Sequence, residues 1–228
     1  MKRGYLQILL AAVLFLLALG LTLYPVVSNW YIGRHQSRIQ TEYREVLEQT
    51  DSAEIESIRE SAAAYNKTIT PGAAEKAYSQ ESIRLAAEDY VNQVDVSGSG
   101  IMGYVEIPKI GADLPIYHGT GADSLDRGTG HLLGSSLPVG GESTHTIITG
   151  HSGMASQKMF TDLEQLREGD IFYLHVLDET LTYEVREIHT VLPHDTTYLG
   201  IEPGEDLCTL VTCTPTGVNT HRLLVHGS

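Results

Sequence analysis

Three residues in the second half of the chain are of types that together perform acyl transfer. Cys213 closes the run Thr209-Leu-Val-Thr, which suits a pleated strand. Arg222 follows nine residues later and opens a second apolar run, Arg222-Leu-Leu-Val. Between them Pro215 removes a backbone donor, and Gly217 and Asn219 turn the chain. A thiol at one strand end and a guanidinium at the start of the next can therefore face one cleft. His151 leaves the β-rich run Thr146-Ile-Ile-Thr in the glycine turn Gly150-His-Ser-Gly153. Loops at the ends of rigid elements are where site residues collect. The chemistry would be attack of a thiolate on a peptide carbonyl, protonation of the departing amine by the imidazole, and stabilisation of the oxyanion or substrate backbone by the guanidinium.

Each of the three has a plainer reading. Cysteine is a frequent core residue, most of the ten histidines are ordinary, and an arginine in an acidic protein defaults to a surface ion pair. Cys208, five residues before Cys213, falls on the opposite face of a straight strand. It reads as a small buried hydrophobe, not as a disulfide partner. Gly150-His-Ser-Gly-Met154 lacks the last glycine of a serine-hydrolase elbow. The papain order, cysteine before histidine, is reversed here. No His/Cys pair has metal-knuckle or helical spacing beside a third ligand, so neither a metal nor another cofactor is expected.

The elements that must hold these residues differ along the chain. The 228 residues carry a net charge of −14, which argues against nucleic acid as a partner. Two cysteines are too few for a disulfide framework. Lys2 and Arg3 precede an apolar run over residues 5–27, and no further charge appears before Arg34. That run is long enough to span a bilayer core of about 30 Å. It lacks a clean signal-peptide cleavage site, so an uncleaved anchor is expected, with residues 1–4 cytoplasmic and the rest outside. Trp30 and Tyr31 suit the outer interface. Residues 28–100 read as a helical stalk followed by a linker or a lid. Ile39, Tyr43, Val46 and Leu47 share one face, and Asp51 with Glu54 forms a capping box for a second helix. Thr70-Pro-Gly breaks the pattern, residues 81–94 form a further short helix, and Val96-Ser-Gly-Ser-Gly is a joint.

After Gly100 the rhythm changes to short alternating runs separated by turns, the pattern of an all-β domain over 101–228. Strands are expected at 102–107, 113–117, 145–149, 171–177, 181–191, 207–213 and 221–226, with an eighth hidden in 128–134. One short helix is expected over 159–166.

These segments resemble a known family. Thr209-Leu-Val-Thr-Cys213 with Arg222, Thr149-Gly-His-Ser-Gly153, Gly103-Tyr-Val-Glu-Ile-Pro-Lys-Ile, Leu114-Pro-Ile-Tyr-His-Gly and Gly130-His-Leu-Leu-Gly-Ser-Ser-Leu-Pro-Val-Gly-Gly are similar to the motifs of sortases, most of all the pilin-polymerising class C. The resemblance covers roughly residues 101–227. It implies a mainly β fold, a closed eight-stranded barrel with short helices behind the helical region and one transmembrane helix. It assigns Cys213, His151 and Arg222 as catalytic and places Thr212 and Thr214 against substrate. It also implies cleavage of an LPxTG-like sorting signal after threonine and transfer of the acyl group to an amine, a pilin lysine or a peptidoglycan precursor. The partners would be pilin or surface proteins and the membrane of a Gram-positive cell. In two respects the chain departs from the pattern. Ser152 stands where the family often has arginine, and the Asp-Pro-aromatic tripeptide of the class C lid is absent. A wall-anchoring sortase of another class and a non-catalytic, membrane-anchored scaffold are the competing readings.

Overall fold

The computed structural model describes residues 2–79, 88–154 and 158–228. Eight strands follow the N-terminal helices: β1 (Ile101–Ile107), β2 (Ala112–His118), β3 (Thr129–His131), β4 (Thr144–Thr149), β5 (Ile171–Val176), β6 (Glu179–Val191), β7 (Asp206–Thr214) and β8 (His221–Gly227). They close into a barrel in the order β1-β2-β3-β4-β7-β8-β6-β5. The pairs β2/β3 and β4/β7 are parallel and the others antiparallel. All seven expected strands form, and the hidden eighth is the three-residue β3.

Alternation of side chains explains the closure. In β5, Phe172, Leu174 and Val176 are buried inside, while their neighbours are exposed or half-buried. Cys208 and Leu210 of β7 and Leu223 and Val225 of β8 join them in the interior. The opposite faces of β4, β7 and β8 carry a second, outer cluster of Ile147, Val211 and Leu224, covered by Ala74, Leu132, Val191 and Leu199.

The helices clamp the barrel from outside. Helix α1 (Lys2–Gln49) is one continuous element, where the sequence had implied a membrane run followed by a separate stalk. Pro25 lies within it without ending it. Leu-rich sequence before and good helix formers after sustain the helix on both sides. Near its C-terminus Tyr43 is 3% exposed. Its hydroxyl donates to the Met102 carbonyl at 3.2 Å and accepts from the Leu177 N–H at 3.1 Å. Its ring meets Tyr104 edge-on at 5.4 Å. Ile39 and Leu47 pack on the same patch, as the helical spacing implied. The side chains of Trp30 and Tyr31 lie outside the described residues.

Helix α2 (Ser52–Asn66) starts at Asp51, whose carboxylate accepts from Ala53 N–H at 2.7 Å. It ends at Asn66, whose side-chain amide exchanges two hydrogen bonds with the backbone of Leu137. Helix α3 (Ala73–Ser79) supplies Ala74 to the outer cluster. Of the helix expected over 81–94, α4 (Glu88–Val91) forms, and residues 80–87 lie outside the described residues.

Tyr90 ties α4 to the barrel through a buried histidine. The Ser136 carbonyl can only accept, so His131 Nε2, 2.8 Å away, carries the proton. His131 Nδ1 then accepts from the Tyr90 hydroxyl at 2.8 Å. Burial draws the His131 pKa from 6.5 to about 4. The unfolded chain takes up this proton below about 6.5 but the fold only below about 4, so stability falls as pH drops through that window. The loss should approach roughly 3 kcal/mol. Urea unfolding between about pH 7 and pH 4.5 should show it, and His131→Gln should make the slope shallower without removing it, because burial also lowers His226 and His145.

Candidate active site

The strand register brings two of the three expected chemical residues directly opposite each other. Cys213, in the last full pair but one of β7, faces Arg222 of β8. Directly paired residues share a sheet face. Cys213 lies two residues beyond Val211 and Arg222 two before Leu224, so both belong to the outer face. The thiol is free and partly buried. The loop between the strands contains a cis Thr214–Pro215 bond and left-handed Gly217 and Asn219. That loop also orients the arginine: Arg222 Nη1 donates to the carbonyls of His221 at 3.1 Å and Asn219 at 3.4 Å.

Cys208 sits on the inner face, fully buried. Burial pushes its thiol pKa up well above the ordinary value, which suppresses the nucleophilic thiolate. Cys208→Ala is therefore expected to leave acyl-enzyme formation within about twofold of wild type while lowering stability by about 1–2 kcal/mol. Mass spectrometry and urea unfolding respectively check the two effects.

His151 reaches the same end of the barrel from β4, which runs parallel to β7 with Thr149 opposite Val211. Beyond β4 the pairing continues through Gly150 N–H, which donates to Val211 O at 3.0 Å. Gly150 is required here, since a Cβ would lie 2.7 Å from the Phe160 ring. The His151 carbonyl accepts from Phe160 N–H at 3.0 Å. The helix expected over 159–166 is reduced to one 3-10 turn at Leu163–Gln165: Met159 opens the segment with a left-handed φ of +38°, and the N–H groups of Leu163, Gln165 and Leu166 bond carbonyls three residues back. The His151 side chain is 36% exposed, and its Nε2 lies 3.8 Å from Asp126 Oδ1. Asp126 directly follows the short helix α5 (Ala122–Leu125).

The two threonines flanking Cys213 have other surroundings. Thr212 is 3% exposed and lies on the inner face, with its hydroxyl donating to Gly150 O at 2.7 Å. Strand alternation turns it away from the thiol, and its hydroxyl holds the histidine turn. Thr214, half-buried at the strand end, shares the parity of Thr212. Two further residues belong to this region: Phe160, which the sequence did not single out, and Ser152, which stood out there only for replacing the family's frequent arginine. Phe160 is wedged against Gly150, and Ser152 is 8% exposed. Among the described residues, no three His, Cys, Asp or Glu side chains cluster as a metal would require.

A closed barrel of this order, with a partly exposed thiol ending one of its parallel-paired strands, defines an enzyme class, the β-barrel cysteine transpeptidases. The chain belongs to the sortase family: residues 105–228 match the Sortase domain. Sortase C from Streptococcus pneumoniae, whose crystal structure is described in terms of catalysis and pilin substrate specificity, is 44% identical. It covers 83% of this chain and 95% of its own, with a TM-score of 0.75. Sortase C1 from Streptococcus agalactiae is 42% identical over 83% of this chain and 96% of its own, also at 0.75. Sortase A from Streptococcus agalactiae serotype III is 27% identical over 227 residues, 98% of this chain and 84% of that protein.

Proposed function

We propose that the protein is a membrane-anchored transpeptidase that uses Cys213 to cleave an LPxTG-like sorting signal after threonine and passes the acyl group to an amine, a pilin lysine. The observation that carries this reading is the register pairing of Cys213 with Arg222, at the end of β7 where the His151 turn is tied down. Cys213 attacks as thiolate and forms a thioester. His151 protonates the leaving amine and later takes a proton from the attacking one. Arg222 stabilises the oxyanion or holds the substrate backbone. An acyl-enzyme that must wait for an amine gains from a site that excludes water. In this reading the apolar helical window Gly4–Tyr24 is the anchor, with the N-terminus inside and the barrel on the outer surface.

The test is an acyl-enzyme trap. The protein is incubated with candidate sorting peptides and the adduct is located by mass spectrometry. A thioester on Cys213 supports the proposal, and no adduct with any sorting peptide overturns it in favour of a non-catalytic scaffold. A second reading, attachment of surface proteins to a peptidoglycan precursor, is favoured by the near full-length alignment with a sortase A and by the absent lid tripeptide. Supplying the trapped enzyme with pilin or with wall-precursor amine separates the two, since only the true acceptor resolves the thioester.

A further inference from the structure

Parallel strands exchange hydrogen bonds at two-residue intervals. At the end of β4 and β7 the last such backbone bond runs from Gly150 N–H to Val211 O at 3.0 Å. The next in the series would run from the N–H of residue 152 to the carbonyl of residue 213. The chain cannot supply it, because it is already leaving the sheet in a turn that ends at Gly153, φ +72°. Instead the Ser152 hydroxyl donates to Cys213 O at 2.6 Å. A side chain thus takes the place of the missing ladder donor.

His151 lies between these two ties. On one side Gly150 is bound twice to β7, through its N–H to Val211 O and through its carbonyl from Thr212 Oγ1. On the other side Ser152 is bound to the backbone of Cys213 itself. Beyond Ser152, Gly153 N–H donates to Thr161 Oγ1 at 3.0 Å, and its Cα packs against Thr216 and Gly217 of the β7–β8 loop, so closely that a Cβ would lie 3.0 Å from Thr216 Cγ2. Of these contacts, the Ser152 bond is the one that links the residue beside the imidazole to the residue bearing the sulfur.

The geometry points to Ser152 as a positioning residue: its hydroxyl extends the β4–β7 ladder by one bond and fixes the height of the His151 imidazole relative to the Cys213 thiol. This rests on the reading that Cys213 and His151 act as a pair. A small hydroxyl side chain is needed because the acceptor is a main-chain carbonyl 2.6 Å away in a position that is 8% exposed. A long arginine, frequent here in the family, could not make this bond in the same place, so this chain secures its histidine turn differently.

The experiment compares wild type, Ser152→Ala, Ser152→Thr and His151→Ala. Two readouts are used: the pH dependence of Cys213 alkylation by iodoacetamide, and steady-state cleavage of a sorting peptide. Ser152→Ala should lower kcat about 10- to 100-fold with KM changed less than about threefold, since the lost bond orients the catalyst and does not hold substrate. Its alkylation profile should move toward that of His151→Ala, because both variants take the imidazole out of the place that the Ser152 bond gives it. Ser152→Thr, which keeps the hydroxyl, should recover wild-type kcat to within about threefold. If Ser152→Ala lowers thermal stability but leaves kcat and the alkylation profile at wild-type values, Ser152 is merely structural and the inference fails. If instead His151→Ala itself leaves the alkylation profile and kcat unchanged, the underlying Cys213–His151 pairing is what fails.

Discussion

Replacing Cys213 by alanine is expected to abolish acyl-enzyme formation and lower turnover of a sorting peptide by about 10⁴-fold or more, since the chain's one other thiol, Cys208, is fully buried. The substitution removes one sulfur from a partly exposed strand end, so folding should be nearly intact. The measurement is intact-protein mass spectrometry after incubation with peptide, with circular dichroism as the folding control. Adduct formation on Cys213→Ala at wild-type levels would transfer the chemistry to another residue. Cys208 is the obvious candidate, yet its inner-face burial leaves no route for a peptide to reach it.

The second large effect is expected at Arg222. Arg222→Lys should lower kcat/KM by about 10²- to 10³-fold, the range seen when one oxyanion donor is removed. Charge is kept in that variant, so simple electrostatics would foresee little change. What is lost is the planar fork. One guanidinium nitrogen is occupied by the carbonyls of His221 and Asn219, which holds the remaining N–H groups in a fixed direction. A flexible ammonium satisfied by the same carbonyls would not be held in that direction. Peptide kinetics on the lysine and alanine variants check the point, and lysine activity within about threefold of wild type would reduce Arg222 to a surface charge.

Much of this arrangement was written in the one-dimensional pattern. Strands such as β5 and β7 alternate inner and outer residues between strong turn signals, and their positions follow to within a residue or two. The separation of Cys208 from Cys213 follows from parity alone. Other features depend on contacts distant in sequence. The helical pattern at 159–166 gave way to three-residue turns behind a left-handed Met159, which the apolar spacing does not announce. Thr212 reads as a neighbour of the nucleophile, but its partner is Gly150, sixty-two residues away along the chain. Ser152 was visible only as a departure from the family's arginine; that its hydroxyl meets the Cys213 carbonyl depends on the β4–β7 pairing. Continuity of α1 was obscured by Pro25, whose usual effect is to end a helix.

That unbroken helix has a mechanical corollary. Tyr43 pins the barrel to α1 nineteen residues beyond Tyr24, where the apolar window closes. At about 1.5 Å per residue, the strut between them measures roughly 28 Å. With the window seated in a bilayer, the barrel is carried at a set altitude by a stiff post instead of drifting on a slack tether. If the window is the anchor as proposed, only polypeptides presented at that level would be within reach, and spacing from the lipid would act as a filter on clients, independent of the motif they carry.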